Sequence, residues 1–442
     1  MEPIAMNRRT FLAASAAAAA SAESATLAAE GGKPVRAAPL RPGYYGPLFY
    51  DEKEREQINE VFETRRPFRW HGPGNQPPMK VATFEKEFAA HMQTRFALAV
   101  TSGTAALQCA VAALGIGPGD EVILPAWTWH SCYTAVVLAG ALPVFAEIDE
   151  SFNIDPNDIE RRITPQTKLV MAVHLQGNPA ALDPILAIAR KHKIRVLEDC
   201  AQSVGGHYKG RPLGSYGDIS IYSLQINKTI SAGEGGAVVT NDPLLFERAV
   251  RFHDVGTFRP LHEQWAGSAH DEPFTGTNFR LNEFSGGVLL AQLRKLDLIV
   301  NSVRANAKRV YEGVQDLPGI RFRKRYDPEG EIGVGVFMEF PTKAQRDRFL
   351  KLLSAENVPA AAPGGSVILP TVKYIENKRT HHPAWPSFTS PRGRSIQYGA
   401  AACPRTIDIL SRFGGVLLDP KYTKQDCDDI VAAIRKVYPK VV

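Results

Sequence analysis

Ser223-Leu-Gln-Ile-Asn-Lys228-Thr-Ile-Ser-Ala-Gly233-Glu-Gly-Gly236 decides the reading of this chain. The stretch follows a hydrophobic, strand-like run and closes on a glycine-rich turn. About thirty residues upstream, a second such run ends in Glu198-Asp199-Cys-Ala-Gln202. A lysine amine can hold an aldehyde as a Schiff base, and a carboxylate at a strand end can hold a proton on a pyridine nitrogen. These are the two groups that pyridoxal phosphate chemistry needs. Taken alone, Lys228 reads as a surface lysine. Between Ser223 and the glycine turn it reads as functional, because the glycines permit a tight backbone return under a flat ring.

Working outward, strand and helix patterns alternate. Phe96–Val100, Glu121–Pro125, Leu142–Ala146, residues 168–174, Arg195–Asp199, residues 219–224 and Gly236–Thr240 read as strands. Residues 104–113, 128–139, 156–163 and 184–192 read as helices. Such alternation predicts an α/β domain with a large, mostly parallel sheet. In these sheets the ligand sits outside the carboxyl ends of the strands. Ser102, Trp129, Asp199 and Ser223 fall at or near those ends.

The flanks are simpler. Residues 33–47 form a Pro/Gly-rich extended arm, 51–64 and 81–92 are helices, and 69–74 are a loop. A long helix at 283–308 is expected to link two domains. Beyond it, strands at 320–324, 333–339 and 415–419 and amphipathic helices at 344–356 and 423–437 describe a smaller α+β domain. The proline- and aromatic-rich stretch 370–393 reads as a surface segment over the site. The expected organisation is an export signal at 1–30, a large cofactor domain with its arm at 31–300, and a small C-terminal domain at 301–442. A chain of 442 residues suits two domains.

Composition excludes several classes. Hydrophobic content of 44% and charged content of 22% are ordinary for a globular protein. The net charge of +6 comes without a basic run interleaved with aromatics, so no nucleic-acid partner is expected. The start is unusual. Asn7-Arg-Arg-Thr-Phe-Leu12 precedes an alanine-rich, weakly apolar stretch and small residues, the pattern of a twin-arginine export signal. The stretch is too short and too alanine-rich for a stable membrane span. Export of the folded protein, or else a cytoplasmic protein with an alanine-rich extension, follows. The five cysteines are scattered, which gives neither a disulfide framework nor a metal site.

Each candidate has a plainer alternative. Thr101-Ser102-Gly103-Thr104 stands between a strand and a helix, where free N–H groups and the helix dipole suit a phosphate; alone it is an N-cap. Strand alternation puts Asp199 and Glu198 on opposite faces, and the spacing from Asp199 to Gln202 favours Asp199. The Gln202 amide could then bond the cofactor's phenolic oxygen. Trp129 is preferred to Trp127 as the aromatic that stacks on the ring. His130, His174 and Gln176 stay open between structural and substrate-binding roles, and His381-His382 are given no metal. Gly115, Gly117 and Gly119 follow a helix end, so they mark a turn rather than a dinucleotide site.

The combination resembles the DegT/DnrJ/StrS family of sugar aminotransferases, enzymes of fold-type I. The matching segments are Thr101-Ser-Gly-Thr-Ala-Ala-Leu107, Gly115-Ile-Gly-Pro-Gly-Asp-Glu-Val-Ile-Leu-Pro125, Val173-His-Leu-Gln-Gly177, Glu198-Asp-Cys-Ala-Gln202, Lys228 with Gly233-Glu-Gly-Gly-Ala-Val-Val-Thr-Asn-Asp242, and Gly276-Thr-Asn-Phe-Arg-Leu-Asn-Glu283. The resemblance implies that Lys228 carries the cofactor and shuttles protons, that Asp199 pairs with the ring nitrogen, and that Gln202 meets the phenolic oxygen. It implies that Trp129 stacks on the ring and that Ser102, Gly103, Thr104 and Ser223 hold the phosphate. Asn278 would reach the phosphate of a neighbouring subunit, making a homodimer. The implied reaction moves an amino group from glutamate or glutamine to a keto sugar, nucleotide keto sugar or keto cyclitol. Leu224-Gln-Ile-Asn227 and Gly286-Gly287 depart from the usual pattern and leave the substrate open. Rivals are an exported sugar-binding or regulatory protein that keeps the cofactor without turnover, and a sugar dehydratase. The dehydratase members replace the lysine that is present here.

Overall fold

The computed structural model describes residues 26–70, 78–269 and 271–442. The twin-arginine stretch and most of the 69–74 loop lie outside the described residues. The strands are β1 (Phe96–Val100), β2 (Glu121–Pro125), β3 (Trp127–Thr128), β4 (Leu142–Ala146), β5 (Thr167–Val173), β6 (Arg195–Asp199), β7 (His207–Tyr208), β8 (Arg211–Pro212), β9 (Ile219–Ser223), β10 (Gly236–Thr240), β11 (Gly335–Glu339), β12 (Ala360–Ala361), β13 (Val367–Ile368) and β14 (Phe413–Leu417).

Seven strands form the main sheet in the order β1-β10-β9-β6-β5-β2-β4. From β9 to β4 neighbours run parallel, and β10 runs antiparallel to both β1 and β9. The expected mostly parallel, mixed sheet is therefore present. Alternate residues of one strand feed opposite layers. Leu98 and Val100, Val122 and Leu124, Leu169 and Met171 pack on one face. Ala97 and Ala99, Ile123, Val170 and Ala172 pack on the other. Strands buried on both faces must be apolar at nearly every position, which is why they read as continuous hydrophobic runs. Helices Gly103–Ala113, His130–Leu138 and Pro243–His253 cover the first face. Lys80–His91, Leu182–His192 and Glu283–Leu293 cover the second.

A second core is built on the antiparallel sheet β11-β14-β12 and helices Leu296–Val314, Lys343–Ala355 and Lys424–Val437. This is the expected smaller α+β unit, but packing crosses residue 300 in both directions. Leu27, from the end of the expected signal segment, and Val35, Leu40 and Tyr45 of the arm pack on the small core. Leu369, Ile375, Cys403 and Ile409 pack on the large one.

Other differences have local causes. The long helix expected at 283–308 is two helices, Glu283–Leu293 and Leu296–Val314. At the bend, the Lys295 ammonium reaches both Glu54 oxygens (2.8 and 2.7 Å), Asp51 (2.8 Å) and the Phe49 carbonyl (2.7 Å). The bend lets Leu289 and Leu293 serve the large core while Val303 and Val310 serve the small one. The strand expected at 320–324 is reduced to one bridge, Phe322 to Met338, because the Lys324 amide turns away to the Glu150 carbonyl at 3.0 Å. Residues 370–393 hold three short helices instead of an open loop, and Ser387 is buried among them. Among the described residues, no helix is long and apolar enough to cross a membrane.

One buried ion pair secures the edge of this sheet. Both Glu85 oxygens lie 2.7 Å from Arg69 Nη2, and Oε1 also accepts the Ala99 amide of β1 at 2.8 Å. Burial alone would raise the Glu85 pKa, but Arg69 and a hydrogen bond from His262 outweigh it and bring it down to about 2. His262 is itself pushed down by burial, so Arg69 supplies the positive charge. A depressed carboxyl stabilises the fold above its unfolded value and loses that contribution as pH falls through the folded one. As pH falls from the ordinary glutamate value of 4.5 through about 2, the loss should reach about 3 kcal/mol. Urea denaturation from pH 5 to pH 3 should show about 2 kcal/mol of it. Glu85→Gln should lower stability by about 3 kcal/mol at neutral pH and flatten that slope.

Candidate active site

The site grows from the register of β6 on β9. Asp199 lies opposite Ile221, and the Cys200 amide donates to the Ile221 carbonyl at 2.9 Å. Asp199 thus leaves the sheet beside the loop that follows β9. That loop carries Lys228 and is tied to itself: the Leu224 amide donates to Gly235 (2.8 Å), Ile226 to Gly233 (3.0 Å) and Lys228 to Gln225 (2.9 Å). From below, Gln292 Oε1 accepts the Ser231 amide at 3.4 Å, and Gln292 Nε2 donates to Glu54 at 2.8 Å. Lys228 is therefore held in place through the backbone that flanks it.

Burial pushes the Lys228 pKa down, opposed by the negative charge of Asp199. Burial also pushes the Asp199 pKa up, opposed by the Ala201 amide, the Cys132 thiol and the Lys228 charge. A lysine eased toward its neutral form can act as a base or nucleophile. The carboxylate, nearly dry, is a strong partner for any cation brought against it.

A second group of expected residues assembles an anion cup. Ser102 caps the helix Gly103–Ala113, its Oγ accepting the Ala105 amide at 3.1 Å. The Gly103 and Thr104 amides have no carbonyl one turn earlier, so they face outward with the positive end of the helix dipole. A Cβ at Gly103 would lie 2.6 Å from Ser223 Cβ, and one at Gly236 would lie 2.9 Å from the Gly103 amide. Only glycine lets the helix start, the end of β9 and the start of β10 meet so closely. Ser102, Gly103, Thr104 and Ser223 are thus one cluster, and Ser223 leads directly to Lys228.

The remaining expected residues are placed as follows. Gln202 Oε1 accepts the Gln176 amide (2.9 Å), and its Nε2 donates to Ser366 Oγ (3.1 Å). Trp129 is 52% exposed at the start of helix His130–Leu138, whereas Trp127 is 2% exposed and packs edge-on to Phe152. Only Trp129 offers a free ring face. Asn278 stands apart from the cup; it is exposed and accepts the Arg280 amide at 3.2 Å. Its chain neighbour Phe279 accepts the Thr101 amide at 3.1 Å, so Asn278 sits on the rim.

The plainer alternatives are resolved as well. Glu198 accepts the Gly214, Tyr216 and Gly217 amides (2.9, 2.7 and 2.7 Å) and His174 Nε2 at 3.0 Å. It is a structural acid, leaving Asp199 for the site. His174 Nδ1 accepts the Ala180 amide at 3.0 Å, so Nε2 carries the proton. His174, Glu198 and Cys200 lie close enough to suggest a metal, but neither histidine nitrogen has a lone pair left for one. His130 Nδ1 pairs with the Tyr374 hydroxyl at 2.9 Å at the mouth.

Three features escaped the sequence reading. Ser131 Oγ lies 2.6 Å from Thr104 Oγ1, which brings a second helix start to the cup. The Cys132 thiol donates to Asp199 Oδ2 at 3.1 Å. Residues 364–368 form a strap: Gln176 Nε2 donates to the Gly364 carbonyl at 2.8 Å, and β13 pairs with β3 just before Trp129. The strap reaches the site beside Trp129, and Tyr374 of residues 370–393 meets it through His130. The 128/132 spacing of one helical turn beside Trp129 was the available signal for Cys132. Nothing local pointed to the strap.

The donor set suits pyridoxal phosphate. A glycine-floored cup of amides and hydroxyls fits a phosphate, a half-buried amine leads from it, a buried carboxylate faces that amine, and an exposed indole stands alongside. A family model described as the DegT/DnrJ/EryC1/StrS aminotransferase family matches residues 51–375. The chain is 39% identical over 389 residues to the spore coat polysaccharide biosynthesis protein SpsC of Bacillus subtilis (strain 168), covering 87% of this chain and 94% of that one. It is 36% identical over 331 residues to the L-glutamine:2-deoxy-scyllo-inosose aminotransferase of Micromonospora echinospora, covering 70% and 76%. The solved structure of S. venezuelae DesV in complex with a ketimine intermediate superposes with a TM-score of 0.71 at 28% identity, covering 90% of this chain and 98% of that one.

Gly103→Ala tests the cup. The added methyl must push the helix start off Ser223. Cofactor affinity, read by titration of the visible absorbance, should fall about ten-fold or more, and the overpacking should lower the melting temperature by a few degrees.

Proposed function

The chain belongs to the DegT/DnrJ/EryC1/StrS family of pyridoxal-phosphate-dependent aminotransferases, and on that premise we propose that it moves an amino group from glutamate or glutamine to a keto sugar, a nucleotide keto sugar or a keto cyclitol. The observation that carries this reading is Lys228, half-buried beside Asp199 with its amine eased toward neutrality. Polysaccharide and cyclitol chemistry in the relatives' names supports the substrate class.

When bound, pyridoxal phosphate supplies an aldehyde for the amine and a ring that accepts electron density. The protein's own groups do the rest. Ser102, Gly103, Thr104 and Ser223 would hold the phosphate, and Trp129 would cover one ring face. Asp199 would keep a proton on the ring nitrogen, and Gln202 would meet the phenolic oxygen. In the donor half, Lys228 Nζ takes the proton from Cα of the amino acid. In the acceptor half, the same nitrogen returns a proton to the carbon that gains the amine. The rim position of Asn278 supports a homodimer in which it reaches the second copy's phosphate. The Arg8-Arg9 motif supports export of the folded, loaded enzyme.

The test is a half-reaction screen. Wild-type protein mixed with glutamate or glutamine should lose its visible absorbance as the amine is taken up, and a keto sugar or cyclitol should restore it. An absorbance that ignores every donor would favour a binding protein without turnover. Lys228→Ala should lose the lysine-linked absorbance and fall by about 10⁴-fold or more in transfer rate. Export is checked separately: Arg8→Lys with Arg9→Lys should leave the full-length protein in the cytoplasm, and an unchanged distribution would remove the signal from the proposal.

A further inference from the structure

The Cys132 thiol lies inside the site yet has no part in the transfer chemistry above. It sits in the first turn of helix His130–Leu138 and is fully buried. Its sulfur donates to Asp199 Oδ2 at 3.1 Å, and the buried Thr128 hydroxyl lies 3.3 Å from the same sulfur. The other carboxylate oxygen, Oδ1, accepts the Ala201 amide at 2.9 Å. Each oxygen of Asp199 is therefore held by a donor from a different part of the chain. One donor would leave the carboxylate free to swing about its last torsion; two fix its plane. Each oxygen keeps a lone pair for a further donor.

The surroundings keep the thiol protonated: its one proton goes to Asp199, and its sulfur accepts the Thr128 hydroxyl. Burial and the adjacent Asp199 charge hold its pKa far up, so no thiolate forms. Besides Cys132 and the Ala201 amide, Lys228 acts on Asp199 through its charge, and the neutral His174 ring lies nearby. Thr128 belongs to β3, and β3 pairs with the strap through Thr128 and Val367. The clamp thus links the strap to the carboxylate.

We propose that Cys132 is a positioning residue for Asp199: its S–H, oriented by Thr128, fixes the plane of the carboxylate and keeps it anionic for a protonated ring nitrogen. The proposal rests on the reading of Asp199 as that nitrogen's partner.

Cys132→Ala and Cys132→Ser test it in the full-length protein. Without the donor the carboxylate protonates more readily, so the acid limb of the donor half-reaction should move up by about half a unit or more. Cofactor affinity should weaken about ten-fold in the alanine variant. The serine variant restores a donor and should recover both. An independent readout needs no cofactor: the Cys132 S–H infrared band, identified by its loss in Cys132→Ala, should lie at hydrogen-bonded frequency and rise in Asp199→Asn. A band at the free-thiol frequency, or an alanine variant with wild-type acid limb and affinity, overturns the role of Cys132. If Asp199→Asn itself leaves the half-reaction unchanged, the reading of Asp199 fails first and takes the clamp with it.

Discussion

The parallel register of β6 against β9 is the constraint on which the site depends. Asp199 opposite Ile221 brings a carboxylate out of the sheet where the lysine loop begins. Side chains alternate along a strand, so a slip of one residue would exchange Asp199 for Glu198 and turn the acid to the wrong face. The register is protected because the alternative is already occupied. Glu198 is bound by three backbone amides and His174 on the far side, and none of those donors could be left unpaired in a dry interior without cost.

Burial then acts on the two ionisable groups in opposite senses. It makes a charged lysine costly and a charged carboxylate costly, and each group's charge relieves the other. Burial eases the lysine toward the neutral form that proton transfer needs, while the donors gathered by the carboxylate favour its charged form. The phosphate cup adds a third fixed point. Its position follows from packing, because the helix start can touch Ser223 only where a residue has no side chain.

The two cores meet around this arrangement. The arm crosses to the small core, the strap returns to the large one, and the bend at Lys295 divides one apolar helical pattern between them. The buried path from Glu54 through Gln292 to Ser231 connects that bend to the lysine loop. Family membership and the relatives are consistent with a sugar or cyclitol aminotransferase.

By itself, the sequence determined what short-range physics fixes. β1, β2, β4, β6 and β10 were legible to the residue because strands buried on both faces of a sheet leave a nearly continuous apolar run. Lys228, Asp199 and the Ser102–Thr104 turn stood out in the sequence because each follows a strand-like run, beside a glycine turn, an amide-bearing residue or a helix start. Only the tertiary structure decided the rest. The break at Lys295 depends on acids some 240 positions away, the single bridge at Phe322 on a distant carbonyl, and the strap on a glutamine from another layer. Cys132 was one of five scattered cysteines until folding set it against Asp199. Such contacts leave no periodicity in the chain, because the energy that selects them comes from desolvated partners that meet only in the folded state.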